Sequence, residues 1–507
     1  MRTSPSYTAS YRIEVDEKTT SIASIVDVVS ATGAEIKGLD VADSDRGRII
    51  IDLTCDMRDS EHRREVRDAI NALPGVVADS VSDQTFMSHI GGKVEIHSKV
   101  PLRNRDDLSR AYTPGVARVC TAIHDMPQKA HLLTMKANTV AVVSDGTAVL
   151  GLGDIGPEAA LPVMEGKAVL FKEFGGVDAW PVVLDTKDTE EIISIVKAIA
   201  PAYGGINLED ISAPRCFEIE ERLRSELDIP VFHDDQHGTA IVVLSALINA
   251  LKIVGKKIED VRIVVSGVGA AGNAIIRLLL AQGARDIIGC GRDGALSGDA
   301  TEGMHPSRKA LAEATNPRHV HGSLKEVLKG ADVFIGVSSG NILEPSDIES
   351  MAENAIVFAL ANPTPEVDPI GAGKYAAVVA TGRSDYPNQI NNVLAFPGLF
   401  RGLLDAKVKE ITTEVLRVAA VAIASVISED ELSPSYIIPG AFDSGLPPPS
   451  PRPCAARCAT FRPWTSRFSP TWMLTESHFG SFAGPIALGR RGWARTVIPE
   501  AGAGARG

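Results

Sequence analysis

Cysteine is scarce in this chain and widely dispersed: six occur in 507 residues, at positions 55, 120, 216, 290, 454 and 458. Such spacing does not build the dense framework that staples small secreted domains, so reduced thiols and a cytoplasmic protein are expected. Cys454 and Cys458 stand as C-x3-C, but no second pair or histidine cluster completes a zinc site. Also missing is an uninterrupted apolar run of about 18 residues, so no membrane span is expected. The opening MRTSPSYTASYRIEV lacks the apolar core of a signal peptide. Positive charge is in deficit: 51 Lys and Arg against 64 Asp and Glu leave a formal charge of −13. That balance disfavours nucleic acid and anionic membrane as partners. An acidic protein that binds an acidic substrate must do so through local lysine, arginine or metal. Lysine is absent from Ala441 onward, where eight arginines and three of the four tryptophans gather among prolines without periodicity. Residues 445–507 therefore read as a tail that does not pack as a domain, either disordered or translated out of frame.

What remains is ordinary for a globular protein. Apolar residues make up 44% and charged residues 23%, and the length allows two to four domains. Residues 7–85 read as a separate α+β unit. Tyr11–Val15 alternates as a strand, Ser21–Ser30 carries Ile22, Ile25, Val26 and Val29 at helical spacing, and further strands and a charged helix follow. The order β-α-β-β-α-β is that of a ferredoxin-like fold. With its closing LPGV it resembles an ACT domain, a regulatory module that pairs with a copy of itself and often binds amino acids. The loop after the first strand, Asp16 to Thr20, has no glycine, so a dimerising role stands beside effector binding.

The central stretch carries the chemistry. Tyr112 precedes Pro114-Gly115 in YTPGVA, and the turn projects it ahead of a helix beginning near Val116. A tyrosine there is ordinarily packing; beside a cation its phenol becomes a proton donor. Thr139 to Ala148 reads as two buried strands around an SDG hairpin, followed by the glycine-rich GLGDIG and an apolar helix containing Lys167. Such a lysine either snorkels or is held where its pKa falls far enough for it to act as a base. Two acidic pairs then follow apolar runs: Glu209-Asp210 after Ile206–Leu208, and Asp234-Asp235 after Ile229–Phe232. One such pair alone is a helix cap. Two at the ends of neighbouring parallel strands would converge, because ligands gather at the carboxyl ends of strands in open α/β sheets. Glu209, Asp210 and Asp235 cannot all stay ionised without a cation between them, and oxygen donors suit Mg²⁺ or Mn²⁺.

Farther on, a strand at Val261–Ser266 leads into Gly267, Gly269 and Gly272 of a G-x-G-x-x-G, with Ala270 and Ala271 opening the next helix. The three glycines serve a tight turn, backbone approach to pyrophosphate, and helix–strand packing, with the phosphate at the helix N-terminus. The second strand ends Gly291-Arg292-Asp293, without the usual carboxylate for the ribose. Arg292 points to a 2′-phosphate, so NADP is favoured slightly over NAD. Residues 403–440 read as a long amphipathic helix running into YIIP.

YTPGVA, SDGTAVLGLGDIGP, EGKAVLFKEFGGVDA, NLEDI and HDDQHGTA occur in the order and spacing of bacterial malic enzymes, which this chain resembles to about Pro439. The resemblance implies a malic-enzyme catalytic domain at 90–238 and a Rossmann-type, doubly wound NAD(P)-binding domain at 239–440. It implies oxidative decarboxylation of L-malate to pyruvate in a homodimer or larger homo-oligomer, with Lys167 as base, Tyr112 as proton donor to the enol, and Asp234 tuning Lys167. Asn362 and Asn392 match asparagines that contact malate, Asn362 near the nicotinamide as well. The arginine of eukaryotic relatives before LGLGD is absent; Ala148 stands there. A malolactic enzyme making lactate and a catalytically silent ACT regulator are the rival readings.

Overall fold

The computed structural model describes residues 3–443, apart from Arg46 and Leu150. The tail reading for 445–507 lies outside the described residues. Among the described residues, three sheets organise the chain. The first holds β1 (Ser4–Asp16), β2 (Glu35–Asp45), β3 (Arg48–Met57) and β4 (Val76–Asp83), in antiparallel order β2-β3-β1-β4. Helices Ile22–Ala31 and Ser60–Asn71 begin at Ser21 and Asp59, whose side chains accept from backbone N–H groups of the first turn. Ala9, Tyr11, Ile13 and Val15 all point inward on β1, as the period of two requires, and meet Ile25, Val29, Val66 and Ile70.

The second sheet is parallel, in the order β6-β5-β7-β8: β5 (Thr139–Ser144), β6 (Asp178–Val183), β7 (Gly205–Leu208) and β8 (Val231–His233). The hairpin expected around SDG does not form. After Ser144 the chain folds back on itself: the N–H groups of Ile155 and Gly156 both donate to the Gly146 carbonyl. Among the described residues, only an isolated Val149–Gly153 bridge remains of a second strand. Gly146 has φ +69°, and a Cβ there would meet the Gly156 carbonyl oxygen at 2.2 Å. The turn is therefore closed to other residues. The chain enters the helix Pro157–Gly175 directly.

The third sheet comprises β9 (Arg262–Ser266), β10 (Asp286–Gly291), β11 (Gly294–Ala295), β12 (Val333–Gly336), β13 (Ile356–Ala359) and β14 (Val378–Thr381). Its order is β11-β10-β9-β12-β13-β14, parallel except for β11, which makes it doubly wound. Helix Thr239–Val254 joins the second and third sheets and is buried along most of its length. With the preceding turn it is the one described helix long and apolar enough to cross a membrane, yet two-thirds of that stretch is buried inside the protein. Its hydropathy is that of a core helix. The long helix expected over 403–440 is instead two, Phe396–Ala406 and Thr413–Ala424. Lys407 ends the first in the left-handed region at φ 52°, and the Thr412 side chain caps the second.

Candidate active site

β7 and β8 are hydrogen-bonded neighbours, Leu208 facing His233, so the residues that follow them leave the sheet side by side. Glu209 and Asp210 follow β7. Asp234 and Asp235 follow β8 in a five-residue π-turn, Asp234–Gly238, before the core helix. One oxygen each of Glu209, Asp210 and Asp235 lies within 4.8 Å of the others. Asp210 sits at φ 55°, and its backbone N–H donates to Asp235 Oδ2 at 2.8 Å. Asn207 Nδ2 donates to Glu209 Oε2 at 2.8 Å, and His233 Nε2 pairs with Asp235 Oδ2 at 3.1 Å. His233 is held in turn by Gln236, which also donates to the buried Glu220. Sequence reading missed Asn207, His233 and Glu220. The HDDQH run carried a signal for His233, but the reach from Gln236 to Glu220 on another helix exists only after folding.

Lys167 projects from the helix Pro157–Gly175 into this cluster. Its Nζ lies 2.6 Å from Asp234 Oδ2, 3.0 Å from Glu209 Oε1 and 4.3 Å from the Phe396 ring centroid. Asn392 Nδ2 donates to the same Asp234 oxygen. Gly238 has no room for a side chain, because a Cβ would lie 1.9 Å from Asp234 Oδ1. The expected depression of the Lys167 pKa does not occur in the metal-free cluster. Burial pushes it down, but the Asp234 and Glu209 carboxylates outweigh burial and hold it above the usual lysine range. Burial raises Glu209, and Asp210 is pushed up to about 7 by burial and by the charge of Asp235. Asp235 alone is lowered: burial works against it, but the His233 hydrogen bond and charge prevail.

A site with this many buried carboxylates and one ammonium has a charge deficit. Asp210 Oδ2 and Asp234 Oδ1 are buried without a hydrogen-bond partner among the described residues. Three convergent oxygens with an orphaned carboxylate atom fit a hard divalent cation. Mn²⁺ affinity is expected to fall at least about tenfold per pH unit below 7, because Asp210, and Glu209 where it is protonated, must then shed a proton to bind. Calorimetric titration with Mn²⁺ between pH 5.5 and 8 measures the slope.

In the third sheet the glycine-rich turn has the tight geometry its residues suggest. Gly267 has φ +97°, Gly269 has open space where a Cβ would stand, and a Cβ at Gly272 would lie 1.8 Å from the Gly267 carbonyl oxygen. Ala270 and Ala271 begin the helix Ala270–Gln282, whose Gly269 cap supplies no side chain, leaving the first N–H groups for a ligand. Gly272→Ala is expected to lower the melting temperature by several degrees and to weaken nucleotide binding, checked by thermal denaturation with and without nucleotide. Asn362 follows β13 and is exposed; its amide and carbonyl lie against Gly382 and Gly151, so it stands between the two lobes. Arg292 is exposed on the turn after β10. Tyr112 is 69% exposed at the end of the helix Arg105–Ala111, with no side-chain hydrogen bond to the cluster.

Comparison with known proteins agrees with this geometry. The sequence matches the descriptions "Malic enzyme, N-terminal domain" over 91–224, "Malic enzyme, NAD binding domain" over 236–442, and "ACT domain" over 3–78. It is 59% identical to an NAD-dependent malic enzyme of Geobacillus stearothermophilus over 433 residues, 85% of this chain and 90% of that one. The chain belongs to the malic enzyme family. A bifunctional malic/malolactic enzyme of Bacillus subtilis is 56% identical over 70% of this chain and 87% of its own length. An NADP-dependent malic enzyme of Escherichia coli is 44% identical over 70% of this chain and 49% of its own length. The crystal structure of an NAD-dependent malic enzyme from Thermotoga maritima superposes with a TM-score of 0.69 at 50% identity, covering 71% of this chain and 96% of that one. The two malic enzyme matches cover most of the second sheet and all of the third, and the ACT match covers most of the first.

Proposed function

We propose that this malic enzyme oxidatively decarboxylates L-malate to pyruvate and carbon dioxide, with NAD(P) as hydride acceptor and Mg²⁺ or Mn²⁺ as the cation. The observation that carries the reading is the placement of Lys167 within 3.0 Å of Glu209 and 2.6 Å of Asp234, beside the three convergent carboxylates. When bound, the cation would polarise the C2 oxygen of malate and the nicotinamide would take up the hydride. Glu209, Asp210 and Asp235 would hold the cation. Asn207, His233 and the Asp210 N–H orient those carboxylates. Lys167 accepts the proton of the C2 hydroxyl. Its present partners favour the ammonium, and positive charge placed at Glu209 would oppose that preference and move the balance towards the free amine. Asp234, gripped by Asn392, keeps the lysine aimed. Asn362 and Asn392 offer uncharged donors to a substrate carboxylate. Tyr112 delivers the proton to C3, an assignment that rests on the resemblance.

A homodimer is part of this reading. The exposed apolar side chains Phe86, Ile90, Ile96, Leu102 and Leu132 support burial against a second copy. The ACT module is then the place for a small effector. An initial-rate assay with malate, Mn²⁺ and each nucleotide, with products separated, tests the function. Pyruvate formed with stoichiometric nucleotide reduction supports it. Lactate without net reduction would favour the malolactic reaction, which the bifunctional relative keeps in view, and no malate consumption would remove both.

A further inference from the structure

The position that ends β10 is where a carboxylate grips the adenosine ribose of NAD in Rossmann sheets. Here it is Gly291, and the space its side chain would fill is taken. A Cβ at Gly291 would lie 2.3 Å from Nη2 and 3.1 Å from Cζ of Arg308. Arg308 comes from the helix Pro306–Ala314, well beyond the turn that carries Arg292. Its Nε is buried and has no hydrogen-bond partner among the described residues. Its one ion pair among the described residues is loose, 3.6 Å to Asp293, whose own side chain is 88% exposed. Beside it opens a cavity of about 770 Å³, lined by Arg308, Gly294, His305 and His321, with Asp293 and Glu302 also on its wall. Val268, inside the glycine fingerprint, packs against the same spot, with Cγ2 at 3.6 Å from the Gly291 Cβ position.

We infer that Arg308, seated over Gly291, binds the 2′-phosphate of NADP and sets a preference for NADP over NAD. The inference rests on the malic enzyme reading of the nucleotide lobe. A side chain at this strand end would have to displace the Arg308 guanidinium, and glycine leaves that place to the cation. A guanidinium presents a fork of N–H donors that matches a phosphate, and an orphaned Nε–H gains a partner when that phosphate arrives. A bare 2′-hydroxyl offers no charge and leaves the fork unmatched. Arg292, which the sequence pointed to, is exposed on the turn and is not the group that fills the Gly291 space.

Nucleotide fragments test this without turnover. Adenosine 2′,5′-bisphosphate and adenosine 5′-monophosphate are titrated calorimetrically into the full-length protein. The wild type is expected to bind the bisphosphate at least about tenfold more tightly. Arg308→Ala should erase that preference while changing monophosphate affinity less than about twofold, and Arg308→Lys should retain part of it. Gly291→Asp, which evicts the guanidinium, should reverse the preference. Equal binding of both fragments by the wild type overturns the inference, as does equal weakening of both in Arg308→Ala. Failure of the wild type to bind either fragment overturns the nucleotide reading of the lobe as well, and so separates the two failures.

Discussion

Replacing Lys167 with alanine is expected to lower malate-dependent turnover on the order of 10³-fold while leaving Mn²⁺ binding intact or tighter. The two effects separate because Lys167 occupies the cluster without being one of its oxygen donors. It is buried, 2.6 Å from Asp234 and 3.0 Å from Glu209, and its charge competes with a cation for Glu209. Removing it strips the site of its proton acceptor and also of its resident positive charge. The remaining carboxylates are then buried without a counter-charge, a loss on the order of 3–5 kcal/mol before protonation relieves it. Mn²⁺ should therefore raise the melting temperature of Lys167→Ala by more than it raises that of the wild type. Steady-state rates, Mn²⁺ calorimetry and thermal denaturation measure the three quantities. Turnover within tenfold of the wild type would remove Lys167 from the reaction.

The second large effect concerns the cation itself. Asp235→Asn is expected to weaken Mn²⁺ binding on the order of 100-fold or more and to abolish turnover at ordinary metal concentrations, while nucleotide affinity stays unchanged. Asp235 is the one carboxylate of the three held below its ordinary pKa, so it is ionised over the working range and anchors the ion before Asp210 deprotonates. The substitution also removes the charge facing His233, whose pKa is held high against burial by that carboxylate first and by Cys216 beside it. His233 should revert towards the neutral form, a change that histidine proton resonances can follow. Unchanged Mn²⁺ affinity in Asp235→Asn would place the cation elsewhere and undo the proposed site.

Between the residues that were legible beforehand and those that were not there is a physical division. The acidic pairs after two short apolar runs, the three glycines after a strand, and the alternation of Tyr11, Ile13 and Val15 all reside in contiguous residues. Contiguous patterns follow the periods of helix and strand, and neighbouring parallel strands deliver their ends together. The SDG hairpin failed because Gly146 closes a tight return against Gly156, ten residues on, which no dipeptide turn signal encodes. The long helix over 403–440 failed because Lys407 takes a left-handed conformation that its residue type does not announce.

Local order along the chain thus settled most of the elements, the open parallel sheets and the presence of a carboxylate cluster beside a dinucleotide lobe. Long-range packing settled the direction in which the Lys167 pKa moves and which arginine stands against Gly291. Those two outcomes depend on the sum of several side chains drawn from separate elements into a low-dielectric space. Asp234 and Glu209 reverse the effect of burial on Lys167, and Arg308 reaches Gly291 from a helix that begins fifteen residues later at Pro306. Electrostatics and excluded volume act through distance in space, and that distance is set only when the sheets have closed on one another.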